Sequence, residues 1–163
     1  MHIIIKNNYL LFNDYRIKCA LGKRGIGNKK KEGDFITPRG IFKIKFILYR
    51  KDRIKNLNTI LKKIKIKKKM GWCDDVSSDE YNKLITLPSK YKYEKLFRKD
   101  NVYDIILVLD YNMRPIRKFK GSAIFIHIAK QKFTKTEGCI AIKKNELKKI
   151  VKKINHNTRI KIS

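Results

Sequence analysis

GSAIFIHIA at 121–129, the linker KQKFTK at 130–135 and TEGCIAI at 136–142 form the stretch on which the fold turns. From Ala123 to Ala129 every residue but His127 is apolar. Such a short continuous run reads as a central strand buried on both faces. Cys139 follows a glycine, and Ile140-Ala141-Ile142 restores the apolar character. His127 therefore ends a buried strand, and Cys139 opens the next ordered segment. Eleven residues lie between them, enough for a loop to bring the two face to face.

Downstream, Leu147, Ile150, Val151 and Ile154 fall at i, i+3, i+4 and i+7 with lysines between them, which predicts one amphipathic helix. Glu146 in its first turn and Lys152-Lys153 in its last suit the helix dipole. Asn155 to Asn157 break it, and Thr158 to Ile162 alternates as a closing strand.

Upstream, strands are expected at Ile3–Lys6 and Tyr9–Phe12 around an Asn7-Asn8 hairpin turn. Further strands are expected at Tyr15–Leu21, Ile41–Tyr49 and Asp104–Tyr111. GKRGIGNKKKEGD at 22–34 reads as a loop, and Thr37-Pro38-Arg39-Gly40 as a turn. Leu61–Lys69 reads as a strand rather than a short basic helix. Residues 71–101 look irregular, a long loop of the kind that often carries function. The fold class is mainly β with one C-terminal helix, in a single domain over 1–163.

Forty-two Lys and Arg against fourteen Asp and Glu give a net charge of +28. That surface attracts polyanions through counterion release. The abundance of Lys, Ile and Asn is also what an AT-rich coding sequence yields, so the charge is read as a solvated basic surface with non-specific affinity for nucleic acid. No zinc spacing or RNA-binding strand pair accompanies it. The three cysteines, Cys19, Cys73 and Cys139, cannot all pair within one chain and include no CxxC. The N-terminus lacks the pattern of a secretory signal, and no uncharged apolar stretch is long enough to span a membrane.

The chemistry concentrates at His127 and Cys139. A thiol becomes a nucleophile when a base or a positive field draws off its proton. Gly138 opens backbone conformations closed to other residues, and these can aim consecutive N–H groups at an oxyanion. Physics alone leaves two readings open. A histidine at a strand end is often a satisfied structural residue, and a cysteine is often a small core residue.

The pattern resembles the L,D-transpeptidase catalytic domain, or YkuD, family. Its members carry a His after a strand, then a loop, then Ser/Thr-x-Gly-Cys and an apolar residue. Here these are His127, Thr136, Gly138, Cys139 and Ile140. Gly22 and Thr37-Pro38-Arg39-Gly40-Ile41-Phe42 resemble the family's glycine-rich segment and Thr-Pro-x-Gly-x-Phe turn. Trp72-Cys73-Asp74-Asp75 and Tyr81-Asn82 resemble a compact branch of it. The chain departs from the common pattern at Glu137, where His is usual, and at Ala141, where Arg is frequent. Its His-to-Cys loop is shorter than usual.

The resemblance implies a YkuD-like β-sandwich or barrel and a cysteine acyltransferase acting on peptidoglycan stem peptides. Cys139 would be the nucleophile and His127 its base, with Ile128 O fixing the imidazole tautomer. The Gly138 and Cys139 amides would form the oxyanion hole. Thr136, Asp75, Tyr81 and Asn82, with Asp74, are candidate substrate contacts. Neither metal nor organic cofactor is implied, and a monomer is expected. A cell-envelope or periplasmic location is implied, while the missing signal leaves the cytoplasm open. An L,D-carboxypeptidase-type hydrolase on the same site is the near alternative. A basic polyanion-binding protein with structural Cys and His is the distant one. A catalytic Cys139 is expected to alkylate near neutral pH faster than Cys19 and Cys73.

Overall fold

The computed structural model describes residues 2–163. β1 (His2–Lys6) and β2 (Tyr9–Phe12) form a hairpin through Asn7 and Asn8, at φ 48° and 60°. Positive φ at both centres is the geometry of a type I′ turn, which asparagine tolerates. β3 (Tyr15–Lys18) adds antiparallel to β2. Two short strands, β4 (Ile26–Gly27) and β5 (Thr37–Pro38), pair in parallel. Thr37-Pro38 is thus extended rather than a turn, because its backbone is used by the preceding loop: Thr37 N–H reaches Gly25 O at 2.9 Å.

β6 (Gly40–Tyr49) is the longest strand, with β7 (Lys63–Lys65) parallel beside it. The expected strand at 61–69 is reduced to those three residues. β8 (Met70–Cys73), β9 (Leu84–Thr86) and β10 (Tyr93–Lys95) form a small antiparallel sheet in the order β10-β8-β9. Residues 71–101, expected to be irregular, therefore contain most of a second sheet. Their short strands lie too close to Gly, Pro and charge for alternation to show. β11 (Ile105–Leu109), β12 (Phe125–Ile128) and β13 (Ile140–Ile142) are buried at every residue. α1 (Lys144–Lys153) follows directly, and β14 (Arg159–Ile162) closes the chain.

The large sheet runs β13-β12-β11-β6-β14-β1-β2-β3. Beyond β3 the chain returns to its far edge, where Ala20 and Ala141 exchange backbone hydrogen bonds of 2.8 and 2.9 Å. That pairing makes the sheet a nearly closed barrel. Alternate side chains serve two cores. Ile47, Leu107, Ile126, Ile128, Ile140 and Ile142 point inward, where Leu147, Ile150 and Val151 of α1 join them. Leu48, Ile106, Val108 and Phe125 point outward onto Trp72 and Leu96 beneath the small sheet. Burial on both faces explains why β11 and β12 lack alternation. Asp104, 1 % exposed, pairs with Arg53 at 3.0 Å and with Lys144 at 2.9 Å, tying the start of β11 to the first turn of α1.

Leu107 is fully buried at the centre of the sheet. Leu107→Ala should cost about 2–5 kcal/mol, the range for a buried leucine leaving a cavity. Ile41→Ala, at a side chain 65 % exposed, should stay within about 0.5 kcal/mol. Urea denaturation of both variants checks the contrast.

Candidate active site

β12 and β13 run parallel with Ile126 opposite Ile140 and His127 opposite Ala141. One step earlier Phe125 stands level with Cys139, and Phe125 N–H donates to Cys139 Sγ at 3.4 Å. Partners in a parallel pair share a face. Cys139 and His127 therefore lie on the same outward face, on neighbouring strands and one diagonal apart. The diagonal spans about 8 Å between Cα atoms, from the usual strand spacing and rise. Both line a cleft of about 430 Å³ between the large sheet and the small one. Asp74, Glu94, Tyr103, Ser122 and Thr136 line it too.

The imidazole is held on two sides. Nδ1 lies 3.0 Å from the carbonyl oxygen of Ile128, so Nδ1 carries the proton and donates it there. Nε2 keeps its lone pair. Tyr103 packs edge-on at 5.4 Å between ring centroids, and itself meets Phe125, which meets Trp72. His127 is 8 % exposed, and burial pushes its pKa down from 6.5 to about 4. The ring is neutral at physiological pH.

The thiol rests against the backbone rather than the imidazole. Sγ donates to Ala123 O at 3.0 Å. Burial pushes its pKa up to about 12. The resting thiol is therefore protonated. Access still separates the cysteines. All three are free, and Cys139 is half-buried while Cys19 and Cys73 are buried.

Gly138 and Thr136 shape the turn before the thiol. Gly138 has φ +138°, and a Cβ there would stand 2.9 Å from Ile36 O, so no other residue fits. Thr136 Oγ1 donates to Cys139 O at 2.6 Å and accepts from Gly138 N–H at 3.2 Å. Thr136 thus organises this turn as well as facing the cleft. The Gly138 amide, a candidate oxyanion donor, is engaged by that hydroxyl. Gly22 belongs to the same framework: its N–H donates to Thr37 Oγ1 at 2.9 Å, and Lys23 N–H donates to Thr136 O at 2.9 Å.

Three expected substrate contacts sit outside the cleft lining. Asp75 Oδ1 accepts from Ser77 N–H and its hydroxyl, and Oδ2 from Lys92 N–H. It pins its own loop. Tyr81, 1 % exposed, donates to Glu32. Asn82, 3 % exposed, uses its whole amide. Oδ1 accepts from Trp72 Nε1 at 3.0 Å and Ala123 N–H at 3.1 Å, and Nδ2 donates to the carbonyls of Tyr111 and Asn112. Asn82 therefore braces Ala123, whose carbonyl holds the thiol. Glu94, Tyr103 and Ser122 were missed in the sequence, where nothing in their spacing marks them. Asp74 does line the cleft.

A thiol and an imidazole open into one cleft on an all but closed β-barrel. Residues 3–162 match the family described as YkuD, the L,D-transpeptidase catalytic domain, and the chain belongs to that family. Membership brings L,D-transpeptidase-type enzyme activity on peptidoglycan at the level of the family, whose members are typically associated with the cell envelope. No curated protein matches the chain. Among the described residues no helix is long and apolar enough to cross a membrane.

Two outcomes are expected. Asn82→Ala would strand the buried Trp72 and Ala123 N–H groups and should cost about 2–4 kcal/mol, read from a melting curve. His127 sets an acid limit. The unfolded imidazole takes a proton near 6.5, while the folded one resists to about 4, so the unfolded state binds more protons in that window. Stability should fall as pH drops through it, and His127→Asn should flatten that slope in denaturant titrations.

Proposed function

We propose that the chain, as one catalytic unit over 1–163, is a cysteine acyltransferase of peptidoglycan stem peptides, with Cys139 as nucleophile and His127 as general base. The observation that carries this reading is the strand register. It sets both side chains on one face of one cleft, with the unprotonated Nε2 available.

The stem peptide enters with the carbonyl of its L-configured diamino acid over Cys139. The thiol turns from Ala123 O toward His127, and Nε2 takes its proton as sulfur attacks. A neutral imidazole and a neutral thiol favour loss of the proton during attack over a standing ion pair. The S–C bond forms, and the carbonyl oxygen becomes an oxyanion. The Cys139 N–H is the donor proposed for it, joined by the Gly138 N–H once Thr136 Oγ1 swings away. Collapse breaks the C–N bond, and the imidazolium gives its proton to the departing D-amino acid. A thioester remains on Cys139. An amine from a second stem attacks it, His127 takes the surplus proton, the new C–N bond forms and the C–S bond breaks. The proton then returns to sulfur. Water in place of the amine gives the carboxypeptidase outcome. The cell envelope is the compartment this substrate implies.

Cys139→Ala should abolish crosslinking while shifting stability by only about 1 kcal/mol. Crosslink formation from tetrapeptide, followed beside a melting curve, decides it, and retained activity ends the assignment. His127→Asn should slow acylation of Cys139 about 100-fold or more, the scale of lost general acid–base help. Intact-mass kinetics with a tetrapeptide donor measure that rate.

A further inference from the structure

The cleft that holds Cys139 has an acidic wall that acyl transfer does not use. Glu32, Asp74, Glu94 and Glu137 line it, among five lysines and arginines. In a chain with 42 Lys and Arg against 14 Asp and Glu, a gathering of carboxylates runs against the composition. Arg98 meets Glu94, but no cation ties off Asp74 Oδ1. Asp74 Oδ1 is buried and, among the described residues, has no hydrogen-bond partner. Ser122 lines the cleft too, and its Oγ is likewise buried without a partner, on a residue only 6 % exposed. Glu32 accepts the Tyr81 proton on Oε2, leaving Oε1 for another donor.

Of the five cations that line the same cleft, Lys23, Lys29, Arg98, Lys130 and Lys135, two are committed to other carboxylates. Lys29 is locked onto Asp34 at 2.6 Å, with both side chains buried. Arg98 meets Glu94 at 3.4 Å but binds Asp100 more closely, at 2.7 Å. Lys23 and Lys135 belong to the Thr136 side, where Lys135 Nζ donates to Lys23 O. Lys92 lends Asp74 a favourable field without bonding Oδ1.

The orphaned acceptors share one neighbourhood. Asp74 feels the charge of Glu32. Ser122 lies beside the Tyr81 phenol, whose proton goes to Glu32. A buried acceptor left unpaired is costly. A primary ammonium has three donors and no acceptor, which matches Asp74 Oδ1, Glu32 Oε1 and Ser122 Oγ. Glu94 lines the same cleft, coupled electrostatically to Asp74 and to Cys139.

We propose that Asp74, Glu32 and Ser122 form an ammonium-binding subsite, which holds the amine of the acyl acceptor beside the Cys139 thioester. The subsite rests on the acyl-transfer reading above and adds the charge state in which the acceptor arrives. The bound ammonium leaves one proton on a carboxylate of the wall, and the freed amine is the nucleophile of the thioester step. Burial raises the pKa of Asp74 and of Glu94, which suits either to that proton.

The first test needs no turnover. Glycinamide, an ammonium without a carboxylate, is titrated calorimetrically into Cys139→Ala protein, with N-acetylglycinamide as the uncharged control. Glycinamide alone should bind. Adding Asp74→Asn should weaken it about tenfold or more, and adding Ser122→Ala severalfold, with melting curves confirming that each variant folds. Equal binding of the two probes, or binding unmoved by Asp74→Asn, overturns the subsite. In turnover, the KM for glycinamide as acceptor should rise about tenfold in Asp74→Asn, while acyl-enzyme formation is followed separately by intact mass. An acyl-enzyme that forms with an acceptor KM unmoved by Asp74→Asn also overturns it. A parent protein that forms no acyl-enzyme counts against the acyl-transfer reading, and calorimetry still decides the subsite.

Discussion

The parallel pairing of β12 with β13 is the constraint from which the rest of the site follows. It sets Phe125 level with Cys139 and His127 level with Ala141. A slip of one residue would turn the thiol into the inner core, because successive side chains on a strand point to opposite faces. The register is held by what surrounds it. Ile126, Ile140 and Ile142 belong to the inner cluster, and their burial fixes which face is in. On its far side β13 is tied through Ala141 to Ala20. The Thr136 and Gly138 turn delivers the chain into β13 at the required height.

Burial sets the electrostatics of this site. It keeps imidazole and thiol both neutral, with the thiol parked on a carbonyl. The same low polarity makes the unpartnered oxygens of Asp74 and Ser122 costly to keep empty. A chain of high positive charge could have closed them with a lysine. Instead, Lys29 and Arg98, two of the cations lining the cleft, are bound to Asp34 and Asp100. Tight satisfaction elsewhere is the contrast: Asn82 uses every group of its amide to brace Trp72 and Ala123.

Local signals were enough for much of the fold. Asn7-Asn8 marked a hairpin because its two positive φ values are tolerated by few residues. The helix showed its period because only one face is buried, and the 105–109 and 125–128 strands showed as unbroken apolar runs. The small sheet at 70–95 did not show. Its strands are three or four residues long and interleaved with turn formers, and their pairing partners are remote in sequence. The Thr37-Pro38 segment read as a turn for a similar reason: its parallel partner, Ile26-Gly27, is itself too short to announce a strand.

By itself the sequence determined the secondary-structure class and the position of the helix, and it singled out His127 and Cys139 as the candidate pair, with a glycine before the thiol. These depend on residue type and on neighbours close along the chain. Tertiary structure alone decided which of the 71–82 residues face the cleft. Asp74 does, while Asp75, Tyr81 and Asn82 turn to their own framework. It also decided that the thiol rests protonated, and that Glu94, Tyr103 and Ser122 join the site. Those outcomes depend on burial and on the packing of one sheet across another, and neither quantity is carried by local sequence.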